Sequence, residues 1–190
     1  AAVVAEFGAG ALGTGDGTDA ADFDAAKHEA RVDAASEGEG VEASRAYQAQ
    51  VIRTVGTAFR LDGVGTIAYS LRDTDGAGMG VYADDGEPKP AQDALAAVFQ
   101  PIRAFLESPG AGESAVAVCN DGPVDLEAEV RWTVGTGDDG DAEDGESVTI
   151  PAGERWRGGS VALPADAETA TLEVRTESGS VSNTYDLDGR

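Results

Sequence analysis

Apolar positions follow two rhythms along this chain, and the change between them falls near residue 110. Ahead of it, short apolar runs alternate with three- and four-residue spacings. Ala1 to Ala5 is an apolar run leading into Glu6, Phe7 and Gly8, which reads as a strand entering a loop. Thr66 to Leu71 is a second run, opened by the turn pair Asp62-Gly63 and closed by Arg72, Asp73 and a glycine cluster, as expected of a strand buried in a parallel sheet. Between them, Glu42 to Arg60 places Tyr47, Val51, Ile52, Val55 and Phe59 on one stripe and predicts a helix. After Pro90, which suits a first helical turn, Leu95, Val98, Phe99, Ile102, Phe105 and Leu106 predict another helix. Pro101 should kink or split it near Gln100, because its ring removes one backbone bond.

The segment SPGAGE, residues 108–113, reads as a linker, and beyond it the period is two. Leu126, Ala128, Val130, Trp132 and Val134 alternate with Glu127, Glu129, Arg131 and Thr133, the mark of a strand with one dry and one wet face. The same alternation runs through 115–119, 148–150, 161–163, 170–174 and 181–185. Six or seven short strands at this spacing predict a small β-sandwich. The expected division is therefore an α/β part over 1–107, a linker over 108–113 and an all-β part over 114–190.

Composition changes this picture in one respect. The chain has 190 residues with 36 Asp and Glu against 13 Lys and Arg, a formal charge of −23, and Lys27 and Lys89 are its two lysines. So acidic a surface excludes nucleic acid and anionic membranes as partners and suits a high-salt environment, where self-repulsion is screened. Disorder does not fit, because 41% of residues are hydrophobic and they fall in periodic patterns. No apolar run approaches the roughly 20 residues of a membrane span. The cytoplasm is the favoured compartment, with a targeting signal ahead of residue 1 left open.

The candidate chemistry sits at strand ends. In α/β proteins the loops at the carboxyl ends of buried strands hold the site, which singles out Glu6, Tyr69, Arg72 and Asp73. A carboxylate at a strand end is either catalytic or merely solvated, and the residues alone leave both open for Glu6. The long segment 14–40 would lie over the mouth of such a site. His28 within it reads as a surface spectator without a second His to build a metal site, and Cys119 as a small buried strand residue. The carboxylates of 135–145 do not fit the register of a helix-loop-helix calcium site and read as a solvated hairpin loop. Trp132 and Trp156 read as sandwich core, with stacking on sugar rings as the alternative.

Two stretches carry a family likeness. IAYSLRD, residues 67–73, followed by a glycine-rich loop and DDGEPKPA, residues 84–91, resembles the last β/α unit of glycoside hydrolase family two, the β-galactosidase, β-glucuronidase and β-mannosidase group. AEFGAGAL, residues 5–12, resembles the nucleophile strand one unit earlier, and ASRAYQAQVI, from residue 43, resembles the penultimate barrel helix. Tyr69 stands where the family usually has tryptophan, and Ala5 where it usually has serine. The resemblance implies the last two β/α units of a (β/α)8 TIM barrel followed by an immunoglobulin-like β-sandwich. It also implies a retaining β-glycosidase acting on β-galactosides, β-glucuronides or β-mannosides without a cofactor or metal. Glu6 would be the nucleophile, with Tyr69, Arg72 and Asp73 around the carbohydrate substrate.

Nothing in the chain resembles the family's acid/base strand end, a Glu preceded by Asn, and two β/α units fall short of a closed barrel. The expectation is the C-terminal portion of a longer enzyme, inactive until the missing N-terminal part of the barrel joins it. The other reading is a non-catalytic carbohydrate-associated or assembly module in which the sandwich is the working part.

Overall fold

The computed structural model describes residues 3–12, 28, 30–33, 40–73, 77–110, 112–135 and 142–187. The chain divides into two compact units, Ala1–Phe99 and Gln100–Arg190.

In the first unit, β1 (Val3–Phe7) pairs in parallel with β3 (Gly65–Ala68), and the short strands β2 (Ala11–Leu12) and β4 (Ala77–Gly78) pair antiparallel. The β1–β3 register runs Val3 to Gly65 and Val4 to Thr66, then shifts before Phe7 meets Ala68. β1 thus spends one extra residue just ahead of its carboxyl end, as a bulge does. Two helices accompany these strands, α1 (Gly40–Leu61) and α2 (Pro90–Val98).

The buried face of α1 differs from the predicted stripe. Its most enclosed positions are Ala43, Ser44, Gln48, Ala49, Ile52, Gly56 and Arg60, with Val55 and Phe59 at the flanks. Small residues win the centre because α2 packs there closely: a Cβ on Gly56 would stand 2.7 Å from Val98 Cγ1. Phe7 fills the space beside them, edge-on to Phe59 at 5.8 Å and tilted against Phe99 at 6.3 Å.

The helix expected to run past residue 100 stops at Val98, and Phe99 caps it. Pro101 supplies no N–H to continue the ladder and biases Gln100 away from helical geometry, so the element ends rather than kinks. Ile102–Leu106 is instead strand β5 of the second unit. The expected linker 108–113 is correspondingly the connection from β5 to β6, and the division falls at Phe99/Gln100, not after 107.

The second unit is a β-sandwich. β5 is followed by β6 (Glu113–Asn120), β7 (Leu126–Gly135), β8 (Ala142–Ile150), β9 (Arg155–Ala162), β10 (Thr169–Thr176) and β11 (Gly179–Asp186). One sheet has the order β11-β10-β7-β8 and the other β5-β6-β9, all antiparallel. The predicted alternation sets the register: Val130 faces Val174, Trp132 faces Leu172 and Val134 faces Ala170, so one face of each strand enters the core. Trp132 is buried there, Trp156 packs against it, and Cys119 is buried on β6. Gly159, at φ +63°, is the extra residue in the shifted β6–β9 register, and a Cβ there would stand 2.6 Å from the Trp132 ring. No helix among the described residues is long and apolar enough to cross a membrane.

Candidate functional site

β1 and β3 end side by side, and two backbone contacts fix their ends. The Tyr69 N–H donates to Phe7 O at 2.9 Å, and the Tyr69 carbonyl lies so close to Gly8 that a Cβ there would stand 2.1 Å from its oxygen. Only glycine fits this approach, which explains the residue after Phe7. Phe7 is committed to the helices, whereas Glu6, within the shifted part of β1, is exposed. Tyr69 is also exposed, at 54%, and its peptide bond to Ser70 is cis. Each strand end thus carries an exposed side chain, the Glu6 carboxylate on β1 and the Tyr69 ring just past β3.

The other two candidates diverge. Arg72 is exposed, bridges to Tyr82, and its guanidinium donates to the Asp84 carbonyl, which ties it across the loop. Asp73 turns inward and is buried. Its Oδ1 and Oδ2 accept from Lys89 Nζ at 3.0 and 3.2 Å, and Oδ1 also accepts from the Gly80 N–H at 2.6 Å. With both oxygens so engaged beneath the surface, Asp73 holds the loop together rather than facing the opening. Gly80 makes this possible, since a Cβ would stand 2.2 Å from the Asp73 nitrogen.

Sequence reasoning passed over Lys89 and Gln48. Lys89, the last residue before α2, has a fully enclosed side chain; besides Asp73 it donates to Gly78 O at 3.1 Å. Burial pushes its ammonium below the ordinary lysine range, and the Asp73 hydrogen bond and charge pull part of the way back. Gln48 is also fully enclosed and donates from Nε2 to Ala9 O at 2.7 Å, Gly78 O at 3.0 Å and Gly80 O at 3.2 Å. A signal for it existed: Ser44, Gln48, Ile52 and Gly56 recur at four-residue spacing, so a polar residue sits in phase with the buried face. His28 is corrected as well. It is buried, with Nε2 2.6 Å from Ser44 Oγ and its ring edge-on to Tyr47 at 5.7 Å, so it is a packed residue and no surface spectator. The rest of the expected mouth loop, apart from 30–33 and Gly40, lies outside the described residues.

The strand predicted at 66–71 is parallel as expected but shorter, Gly65–Ala68, and it is only half-buried on one face and exposed on the other. Ile67 is 58% and Leu71 72% exposed, and Val3 on β1 67%.

No protein-family model matches the sequence, and no curated protein matches it. Among solved structures, a β-D-mannosidase from Dictyoglomus thermophilum superposes on 97% of this chain with a TM-score of 0.74 and 14% identity. The chain spans only about a quarter of that protein, 27% of its length. CsgH of R. palustris, with a TM-score of 0.30 at 13% identity, covers 46% of this chain and 89% of its own. Red sea bream transglutaminase, at 0.37 and 13% identity, covers 66% of this chain and 26% of its own. At 14% identity the likeness to the mannosidase is one of fold: the chain has the fold of a segment of that protein.

Proposed function

We propose that this chain is the C-terminal portion of a retaining β-glycosidase of glycoside hydrolase family two, with Glu6 as its nucleophile. The observation that supports the reading most is the parallel pairing of β1 with β3, with Glu6 near the end of one strand and Tyr69 just past the end of the other, both exposed. The family likeness of residues 5–12 and 67–91 and the fold likeness to a β-D-mannosidase support it. They also put β-mannosides first among the three substrate classes of the family.

In this mechanism a carboxylate attacks the anomeric carbon while a second carboxyl group, about 5 to 5.5 Å away, protonates the leaving oxygen and later activates water. Glu6 supplies the first group. The second comes from a strand end in the N-terminal part of the barrel, which must join this chain to close the (β/α)8 cylinder. The bare apolar face of β1 and β3 is what a barrel interior would cover, and within the described residues these strands pair only with each other. Tyr69 forms a wall of the sugar site and Arg72 part of its rim. Asp73 shapes the site through Lys89 and Gly80 without touching the sugar. The sandwich, whose three- and four-stranded sheets suit an immunoglobulin-like domain, follows the barrel. The acidic surface suits work in high salt.

Burial of Trp132 and packing of Trp156 against the core remove the aromatic platform that a sugar-binding sandwich would offer, which favours the enzyme over the binding module. The test is Glu6→Gln in the completed enzyme, assayed with an aryl β-mannoside, β-galactoside and β-glucuronide. The expected result is a loss of at least about 10³-fold in kcat with folding unchanged, since the amide cannot attack. Native activity in the variant, or turnover by residues 1–190 alone, would overturn the proposal.

A further inference from the structure

Gln48 and Lys89 meet at one atom. Both donate to the carbonyl of Gly78, at 3.0 and 3.1 Å. From there Gln48 reaches Ala9, three residues beyond Glu6, and Lys89 reaches Asp73, four residues beyond Tyr69. Gly80 closes the circuit, because its carbonyl accepts from Gln48 and its N–H donates to Asp73. Four backbone groups, those of Ala9, Gly78 and both ends of Gly80, are thus satisfied by three enclosed side chains. The Ala11–Gly78 pairing of β2 and β4 lies alongside.

The chemistry of Gln48 is specific to this arrangement. Three carbonyl oxygens converge on one amide nitrogen, so the position demands a neutral group rich in N–H donors. A carboxylate would set like partial charges together, and an apolar residue would leave buried carbonyls without this donor. Gln48 sits on the long helix α1, a rigid support, whereas the segments that it holds are loop and two-residue strands.

We propose that Gln48 is a positioning residue of the site: it ties the loop after the Glu6 strand to the loop after Tyr69, and so fixes the nucleophile relative to the sugar wall. This rests on the reading of Glu6 as nucleophile given above. Displacing a reacting group by about 1 Å can lower a rate by about 10²-fold, so loss of the tie should act on the attack itself more than on binding.

The experiment uses the completed enzyme and 2-deoxy-2-fluoro-β-D-mannosyl fluoride, which forms a slowly hydrolysed ester with the nucleophile. The labelled residue is identified by peptide mapping, and the first-order labelling rate is separated from the half-saturating concentration. In the native enzyme the label should fall on Glu6. Gln48→Met should slow labelling about 10- to 100-fold with little change in half-saturation, and Gln48→Glu should slow it further. Ile52→Val, one turn along the same buried face, should lower stability and leave labelling unchanged. Native-like labelling in Gln48→Met, or equal slowing by Ile52→Val, would overturn the positioning role while leaving Glu6 in place. Absence of label on Glu6 in the native enzyme would sink the nucleophile reading and this inference with it. Gln48→Met carries no buried charge and keeps the test informative if Gln48→Glu fails to fold.

Discussion

The two units treat their strands in opposite ways. In the sandwich each sheet lies over another, and Val130, Leu172 and Val174 are wholly enclosed. In the first unit α1 and α2 pack on one face of the pair β1–β3, while Val3 and Ile67 of these strands stand exposed. The amino acids are of the same kind, so the difference does not lie in hydrophobicity. A strand side chain is buried only where a second layer is present, and among the described residues of the first unit none covers that face. The sandwich encloses its own apolar surface, while among the described residues of the first unit Val3 and Ile67 remain open, and the proposed barrel is one way such a face would be covered.

The largest effect that could break this contrast is separation. Residues 100–190 alone should melt in one cooperative transition by circular dichroism, while residues 1–99 alone should give a broad, non-cooperative one. Two equally sharp transitions would mean that the first unit needs no further layer.

Paired substitutions sharpen the contrast at the level of single residues. Leu172→Ala opens a cavity in a closed core and should destabilise the sandwich by about 2–5 kcal/mol in urea unfolding. Ile67→Ser, on the bare face, should change the stability of the 190-residue chain by less than about 0.5 kcal/mol. A large loss at Ile67 would show that this face is already covered.

The smallest effect concerns the buried ion pair of the first unit. Lys89 has a folded pKa below its unfolded value, so between the two the unfolded chain binds the additional proton and unfolding free energy rises with pH. The contribution of Lys89 should therefore grow as pH climbs through the folded pKa and level off above the ordinary lysine value of about 10.4. Urea midpoints of the native chain and Lys89→Gln, measured from pH 7 upward, should diverge in the native chain's favour. Parallel curves would mean that burial does not depress the lysine.

Much of this was legible because it depends on neighbours in the chain. Alternation from Leu126 to Val134 places residues on one face whatever the sheet order, and it correctly predicts which of them enter the core. The strand, glycine and loop pattern around Glu6 and Tyr69 likewise puts both residues at strand ends. The segment 102–106 was not legible in the same way. Ile102, Phe105 and Leu106 fit a helical face as well as a strand, and their pairing with residues 116–120 decides between the two.

Sequence by itself determined the local repertoire: strands where the period is two, a helix over 42–60, a helical start at Pro90, an interruption at Pro101, and a carboxylate and an aromatic ring at strand ends. Only the tertiary structure decided which polar groups are withdrawn from solvent. Asp73 and Arg72 are adjacent in sequence and both read as rim residues, yet one is enclosed against Lys89 and the other is exposed. Gln48 reads as one polar residue on a helix until three carbonyls from distant loops converge on it. Burial and hydrogen-bond partnership here depend on residues 7 to 39 positions away, and the spacing of neighbours carries no information about them.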